Sequence, residues 1–142
     1  MRFIVMVKAN EESEAGVLPS EEIIAAMGRY DEELARAGVL LAAEGLHPSA
    51  KGARVAFAGA KRTVIDGPFA EAKELIAGFW LIQAKSWDEA IEWVKSAPFQ
   101  GGEVEIRQVF EADDFGPALA PEVRAQEERR RAQSAETQEK RG

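Results

Sequence analysis

Two stretches of this chain are apolar at nearly every position, and most of the rest follows helical or extended spacing. Residues 2–8 place Phe3, Val5 and Val7 on one side of an extended chain and Ile4 and Met6 on the other, so this strand should be buried on both faces. Ile76 to Ala84, with Phe79, Trp80, Leu81 and Ile82, repeats the pattern. Both runs belong in the middle of a sheet.

Between them the punctuation is regular. A polar loop from Asn10 to Pro19 leads to Ser20, whose hydroxyl can cap a helix opened by Glu21 and Glu22. Ile23, Met27, Tyr30, Leu34 and Ala37 recur at three- and four-residue spacing, and Gly38 can close that helix. Val39 to Leu46 reads as a second strand. Val55-Ala56-Phe57 and Thr63-Val64-Ile65 flank Gly59 and predict a hairpin. Ser86-Trp87-Asp88-Glu89 has capping-box form and starts a helix with Trp87, Ala90, Ile91 and Val94 as its stripe, stopped by Pro98. Val104, Ile106 and Phe110 alternate along a last strand.

Setting the hairpin aside, the order is strand, helix, strand, strand, helix, strand. This is the ferredoxin-like α+β plan, with the two doubly apolar runs inside. Helices cover only one face of such a sheet, so the other needs a second cover. A partner subunit's sheet in a homodimer supplies it, and the chain's own hairpin and C-terminal segment are the alternative. Residues 1–111 make the domain. From Ala112 the pattern loosens into a charged extension, 112–142, in which Pro121 can start a helix and the end should fray towards Gly142.

Composition narrows the function. The 142 residues suit one domain, and a formal net charge of -7 opposes general attraction to nucleic acid. Arg129-Arg130-Arg131 is diluted by Glu127, Glu128 and Glu136. Cysteine is absent, which fits a reducing cytoplasm and removes disulfides, iron–sulfur clusters and thiolate zinc sites. The N-terminal apolar run is too short for a membrane span and reads as a strand, not as a targeting signal.

Phosphate loops, dinucleotide fingerprints and nucleophile elbows are missing from the sequence. With one histidine and no cysteine, no metal site or cofactor is expected. What remains is Glu44-Gly45-Leu46-His47-Pro48-Ser49 and Asp66-Gly67-Pro68-Phe69 at the mouth of the sheet. A histidine beside a carboxylate can shuttle protons, so His47 and Asp66 are the candidate catalytic residues. Read from the residues alone, turn chemistry comes first for both: histidine before proline ends strands, and Asp-Gly-Pro makes turns. Arg54, Phe69, Glu71 and Lys73 are candidate ligand-binding residues, with the charged ones otherwise solvated. Trp80 and Trp93 read as packing residues.

The stretch Asp66-Gly67-Pro68-Phe69-Ala70-Glu71-Ala72-Lys73-Glu74-Leu75-Ile76-Ala77-Gly78-Phe79-Trp80 resembles the signature of the bacterial YCII-related proteins of the DGPF type. Glu44-Gly45-Leu46-His47-Pro48 and Glu89-Ala90-Ile91-Glu92-Trp93 support the match, which runs from about Met1 to Phe110. The resemblance implies a ferredoxin-like subunit with an inserted hairpin forming a dimeric α/β barrel. It also implies a His–Asp pair, carried over as His47 and Asp66. DGPF-type proteins are generally uncharacterised and are similar in fold to cofactor-free monooxygenases, lactone isomerases and haem enzymes, so no reaction is named.

Two readings follow. One is a small cofactor-independent enzyme doing His/Asp proton-transfer chemistry on a small organic ligand, with Arg54 or Lys73 holding an anionic group. The other is a non-catalytic ligand-sensing or regulatory module associated with an extracytoplasmic-function sigma factor.

Overall fold

The computed structural model describes residues 1–141 and divides into two units, Met1–Val109 and the segment from Phe110 onward. The first unit runs β1 (Arg2–Lys8), α1 (Glu11–Glu14), α2 (Glu21–Arg36), β2 (Leu40–Gly45), β3 (Ala53–Ala58), β4 (Lys61–Asp66), β5 (Ile76–Gln83), α3 (Trp87–Lys95) and β6 (Val104–Gln108). The sheet order is β2-β5-β1-β6, with β3 and β4 forming a separate two-stranded ribbon. Its three pairings are all antiparallel. The two doubly apolar runs are the inner strands, and the described residues form no closed barrel.

Local chemistry sets the helix ends. Ser20 accepts the Ile23 N–H at 3.3 Å, and Gly38 just past α2 takes φ 71°, a left-handed conformation that costs glycine no Cβ clash. Ser86 accepts the Glu89 N–H at 3.1 Å, while the Glu89 carboxylate reaches past the cap to the Lys85 N–H at 2.6 Å. The capping box predicted there is displaced by one residue. Within the loop predicted over 10–19, Asn10 and Ser13 exchange side-chain and backbone bonds and cap the short α1.

The core lies between the two longer helices and one face of the sheet. Phe3 and Val5 of β1, Trp80 and Ile82 of β5, Tyr30 and Leu34 of α2, and Ala90 of α3 are buried together. Each large side chain sealed there contributes about 1.5–3 kcal/mol. The Tyr30 hydroxyl donates to the Trp93 carbonyl at 2.7 Å and so ties α2 to α3. Burial raises the Tyr30 phenol above its ordinary pKa, Asp31 and Glu33 add to this, and Ser96 opposes it.

The opposite face differs from the prediction that β1 is buried on both sides. Ile4 and Met6, and their β5 partners Leu81 and Phe79, are only partly buried. A four-stranded sheet with its helices packed on one side leaves such a face for water or a partner. The ribbon is more open still: Val55, Phe57, Val64 and Ile65 are exposed, Phe57 by 71%.

In the second unit, Phe110 and Phe115 stack at 5.0 Å between centroids around a 3₁₀ turn, Ala112–Ala118. Helix α4 (Pro121–Arg141) follows, so the loosely patterned extension is helical through most of its length; the predicted fraying at Gly142 lies outside the described residues. Its alanine, glutamate, glutamine and arginine content favours helix without an apolar stripe. Glu127 pairs with Arg130 and with Arg131 at 3.2 Å, and Arg131 reaches Glu111 at 3.1 Å.

The Arg130 hydrogen bond, followed by that of Arg131, lowers the Glu127 carboxyl from 4.5 to about 2. A depressed carboxyl contributes stability above its unfolded value and loses it as pH falls through its folded value. Helix content in this segment should therefore decline between about pH 4.5 and pH 2. Circular dichroism of the full chain against Glu127→Gln checks this: the variant should lack that part of the transition, and identical acid profiles would refute the pairing.

Candidate functional site

The sequence-predicted residues lie on or near two adjoining loops, and among them Arg54 and Phe69 touch. Ser49, just after His47 and Pro48, donates its hydroxyl to the Glu14 carboxylate and accepts the Phe69 N–H at 3.0 Å. Glu14 also accepts the Ser49 N–H at 3.1 Å, and the Gly67 N–H donates to the Gly52 carbonyl at 3.0 Å. The Asp66–Phe69 turn is thus fastened onto the 48–52 loop, and α1 is fastened to that loop through Glu14. A Cβ on Gly67 would lie 1.7 Å from the Ser49 carbonyl oxygen, so only glycine admits this approach. The Gly67–Pro68 peptide is cis.

His47 and Asp66 are exposed on these adjoining loops, and no hydrogen bond or ion pair among the described residues joins them. Arg54 and Phe69 do meet: the guanidinium lies 3.8 Å from the ring centroid, a cation–π contact. Glu71 and Lys73 are exposed about the 3₁₀ turn Ala72–Glu74. Sequence reasoning missed Glu14 and Ser49, although Asn10-x-x-Ser13 is a visible capping signal for the turn that carries Glu14.

A second feature lies between α2 and the β2–β5 side of the sheet. A cleft of about 640 Å³ is lined by Ile23, Ile24, Met27, Gly28 and Asp31 of α2, by Ala43, Glu44 and Gly45 of β2, by Phe79 and Trp80 of β5, and by Phe99. It explains why Ile23, predicted as part of the core stripe, is 48% exposed. Trp80 donates its indole N–H to Asp31 Oδ1 at 2.7 Å and packs edge-on against Tyr30 and Phe99 at 5.6 and 5.9 Å. His47 follows the cleft-lining Gly45 by two positions. None of His47, Asp66, Arg54, Phe69, Glu71 and Lys73 lines the cleft. No group of three or more His, Cys, Asp or Glu among the described residues could hold a metal ion.

A family model of the YCII-related domain matches residues 1–113. The chain belongs to the YCII-related family. An uncharacterized protein of Rhizobium meliloti (strain 1021) is 32% identical to this YCII-related chain over 89 residues, which is 61% of the chain and 72% of the relative. Among solved structures it is similar to the 5-chloro-2-hydroxyhydroquinone dehydrochlorinase of Burkholderia phenoliruptrix AC1100, determined with 2,5-dihydroxybenzoquinone. That likeness has 18% identity and a TM-score of 0.46, covering 80% of this chain and 98% of the other. No helix among the described residues is long and apolar enough to cross a membrane.

Proposed function

We propose that this YCII-related chain, of the DGPF type, is a small cofactor-independent enzyme. It binds an organic ligand whose body lies in the α2–β5 cleft and whose reacting end extends past Gly45 to His47 and Asp66. These two stand outside the cleft lining and move the ligand's protons, and the chain acts as a homodimer of the dimeric α/β-barrel kind. The cleft carries the reading. Its volume of about 640 Å³ falls within the roughly 300–1,000 Å³ of ordinary small-molecule sites, and its walls are mostly apolar with few polar groups. The Glu14–Ser49–Phe69 fastening supports the chemistry by holding the His47 and Asp66 loops side by side at the end of β2. One side chain takes a proton from the ligand and the other returns one at a different atom. The ligand is isomerised, and proton exchange with water restores the starting state.

Thermal-shift measurements across a panel of small metabolites, followed by turnover of each hit, test this. A ligand should raise the melting temperature and be consumed, with turnover falling about 100-fold or more in His47→Ala and Asp66→Asn. Binding without turnover would overturn the enzyme and leave a binding module.

The dimer rests on the half-buried Ile4, Met6, Phe79 and Leu81 face and the exposed apolar residues of the ribbon. Sedimentation velocity at micromolar concentration should give twice the chain mass. A monomer would refute it.

A further inference from the structure

We propose that the His47–Asp66 pair is completed between two chains, Asp66 of each copy facing His47 of the other. The inference rests on the reading above, in which these residues work together in a homodimer, and it assigns them to different subunits. It starts from the register of the ribbon. Directly opposed residues of an antiparallel pair share a face, and successive residues alternate between faces. Ala53 opposite Asp66, Val55 opposite Val64 and Phe57 opposite Arg62 therefore put Asp66 on one face with Val55, Val64 and Phe57. Arg54 and Ile65 belong to the other face.

The loop that follows His47 packs on that other face. The Arg54 guanidinium stacks on Phe69 at 3.8 Å, and the Phe69 N–H donates to Ser49 Oγ at 3.0 Å. The Gly67 N–H bond to the Gly52 carbonyl at 3.0 Å carries the ribbon register one residue past Asp66. A Cβ on Gly67, on the same side as Ile65, would lie 1.7 Å from the Ser49 carbonyl oxygen. The 48–52 loop thus lies against the Arg54 side of the ribbon base, and Asp66 leaves from the opposite side. The fastening joins the two loops while keeping the Asp66 carboxylate off the loop that His47 leads into. This accounts for the absence of a hydrogen bond or ion pair between His47 and Asp66 among the described residues of one chain.

The face carrying Asp66 is also the one that lacks a cover. Val55, Phe57 and Val64 lie exposed on it as a contiguous apolar surface. Charge names the occupant. The ribbon and its approach carry Lys51, Arg54, Lys61 and Arg62 against one carboxylate, Asp66, in a chain of net charge -7, so a second copy attracts it. A carboxylate drawn into that contact needs a donor, because a buried charge without one is strongly unfavourable. Arg62, on the same face, is already engaged: it covers the Phe57 ring at 4.7 Å and donates to the Gly59 carbonyl at 2.7 Å. His47 is exposed beside the exposed Leu46 and has no side-chain partner among the described residues of its own chain. In an isologous interface the contact of one chain is repeated by the other, so a single arrangement completes two sites.

Cysteine crosslinking of the full chain tests the proposal, since the natural sequence has no cysteine to compete. His47→Cys and Asp66→Cys chains are mixed, allowed to exchange subunits, and treated with a bis-methanethiosulfonate of one-carbon spacer. The mixture should give covalent dimer in about tenfold or greater yield than either variant alone. The double variant His47→Cys/Asp66→Cys should join chains and leave little crosslink within a chain. Val64→Asp, placed in both partners, should cut the yield about tenfold by charging the ribbon face, with circular dichroism matched to the natural chain. A crosslink within single chains of the double variant would overturn the shared site and leave the pair standing. Crosslinks in neither setting, with the dimer intact, would overturn the pair as well. A monomer in sedimentation would overturn the shared site together with the dimer, and a yield indifferent to Val64→Asp would overturn the ribbon face as the contact.

Discussion

Truncating Phe3 to alanine should cost about 3–5 kcal/mol of stability and lower the melting temperature on the order of 10–20 °C. Phe3 is 0% exposed and sits on an inner strand, opposite Ile82 in β5 and Gln108 in β6. Its ring also meets Trp87, with centroids 5.9 Å apart. The cavity would therefore open where three strands and α3 converge and could not easily collapse. Because a domain this size has only about 5–15 kcal/mol in total, the variant should be marginal at physiological temperature. Phe3→Leu, which keeps most of the volume, should lose far less. Urea denaturation distinguishes them, and a Phe3→Ala loss under about 1 kcal/mol would mean that the core is not organised around this position.

Gly67→Ala is expected to act on the loops instead. Its Cβ would meet the Ser49 carbonyl at 1.7 Å and the adjoining carbonyl carbon at 2.6 Å, both backbone atoms that no rotamer change can move aside. The Asp66–Phe69 turn must then lift off the 48–52 loop, at a cost of about 1–3 kcal/mol confined to this junction. Hydrogen exchange should show the Gly67 and Phe69 amides losing protection, while those of β1 and β5 keep theirs. If the junction aligns His47 with Asp66, turnover should fall with it. Unchanged exchange at Phe69 would refute the packing.

The sheet was legible because both inner strands declare themselves locally. A run apolar on both faces can lie only where helices or a partner cover it, and residues 2–8 and 76–84 are such runs. The helix caps at Ser20 and Ser86 were equally local. The reach of burial was not. Sequence alternation records that Ile4 and Met6 avoid water, but not whether this chain or another one covers them. The candidate site was legible only as a list of residues. That Asp66 and His47 stand on adjoining loops depends on Gly67 meeting Ser49 and on Glu14 reaching across from α1, contacts between segments far apart in the chain. The cleft was invisible for a related reason: Ile23 has the same helical spacing as the buried Leu34, and only the separation of α2 from β2 turns one into wall and the other into core.

The free-standing β3–β4 ribbon offers a practical handle. Its turn, Gly59-Ala60, is exposed, and no strand of the main sheet pairs with either edge of the ribbon. Loop tips of this sort accept chemical attachment with little consequence for folding. The natural chain has no cysteine, so Ala60→Cys would introduce a unique thiol. A spin label placed there would report the distance between two ribbons in a paired assembly as a single dipolar coupling. A lone chain would give none.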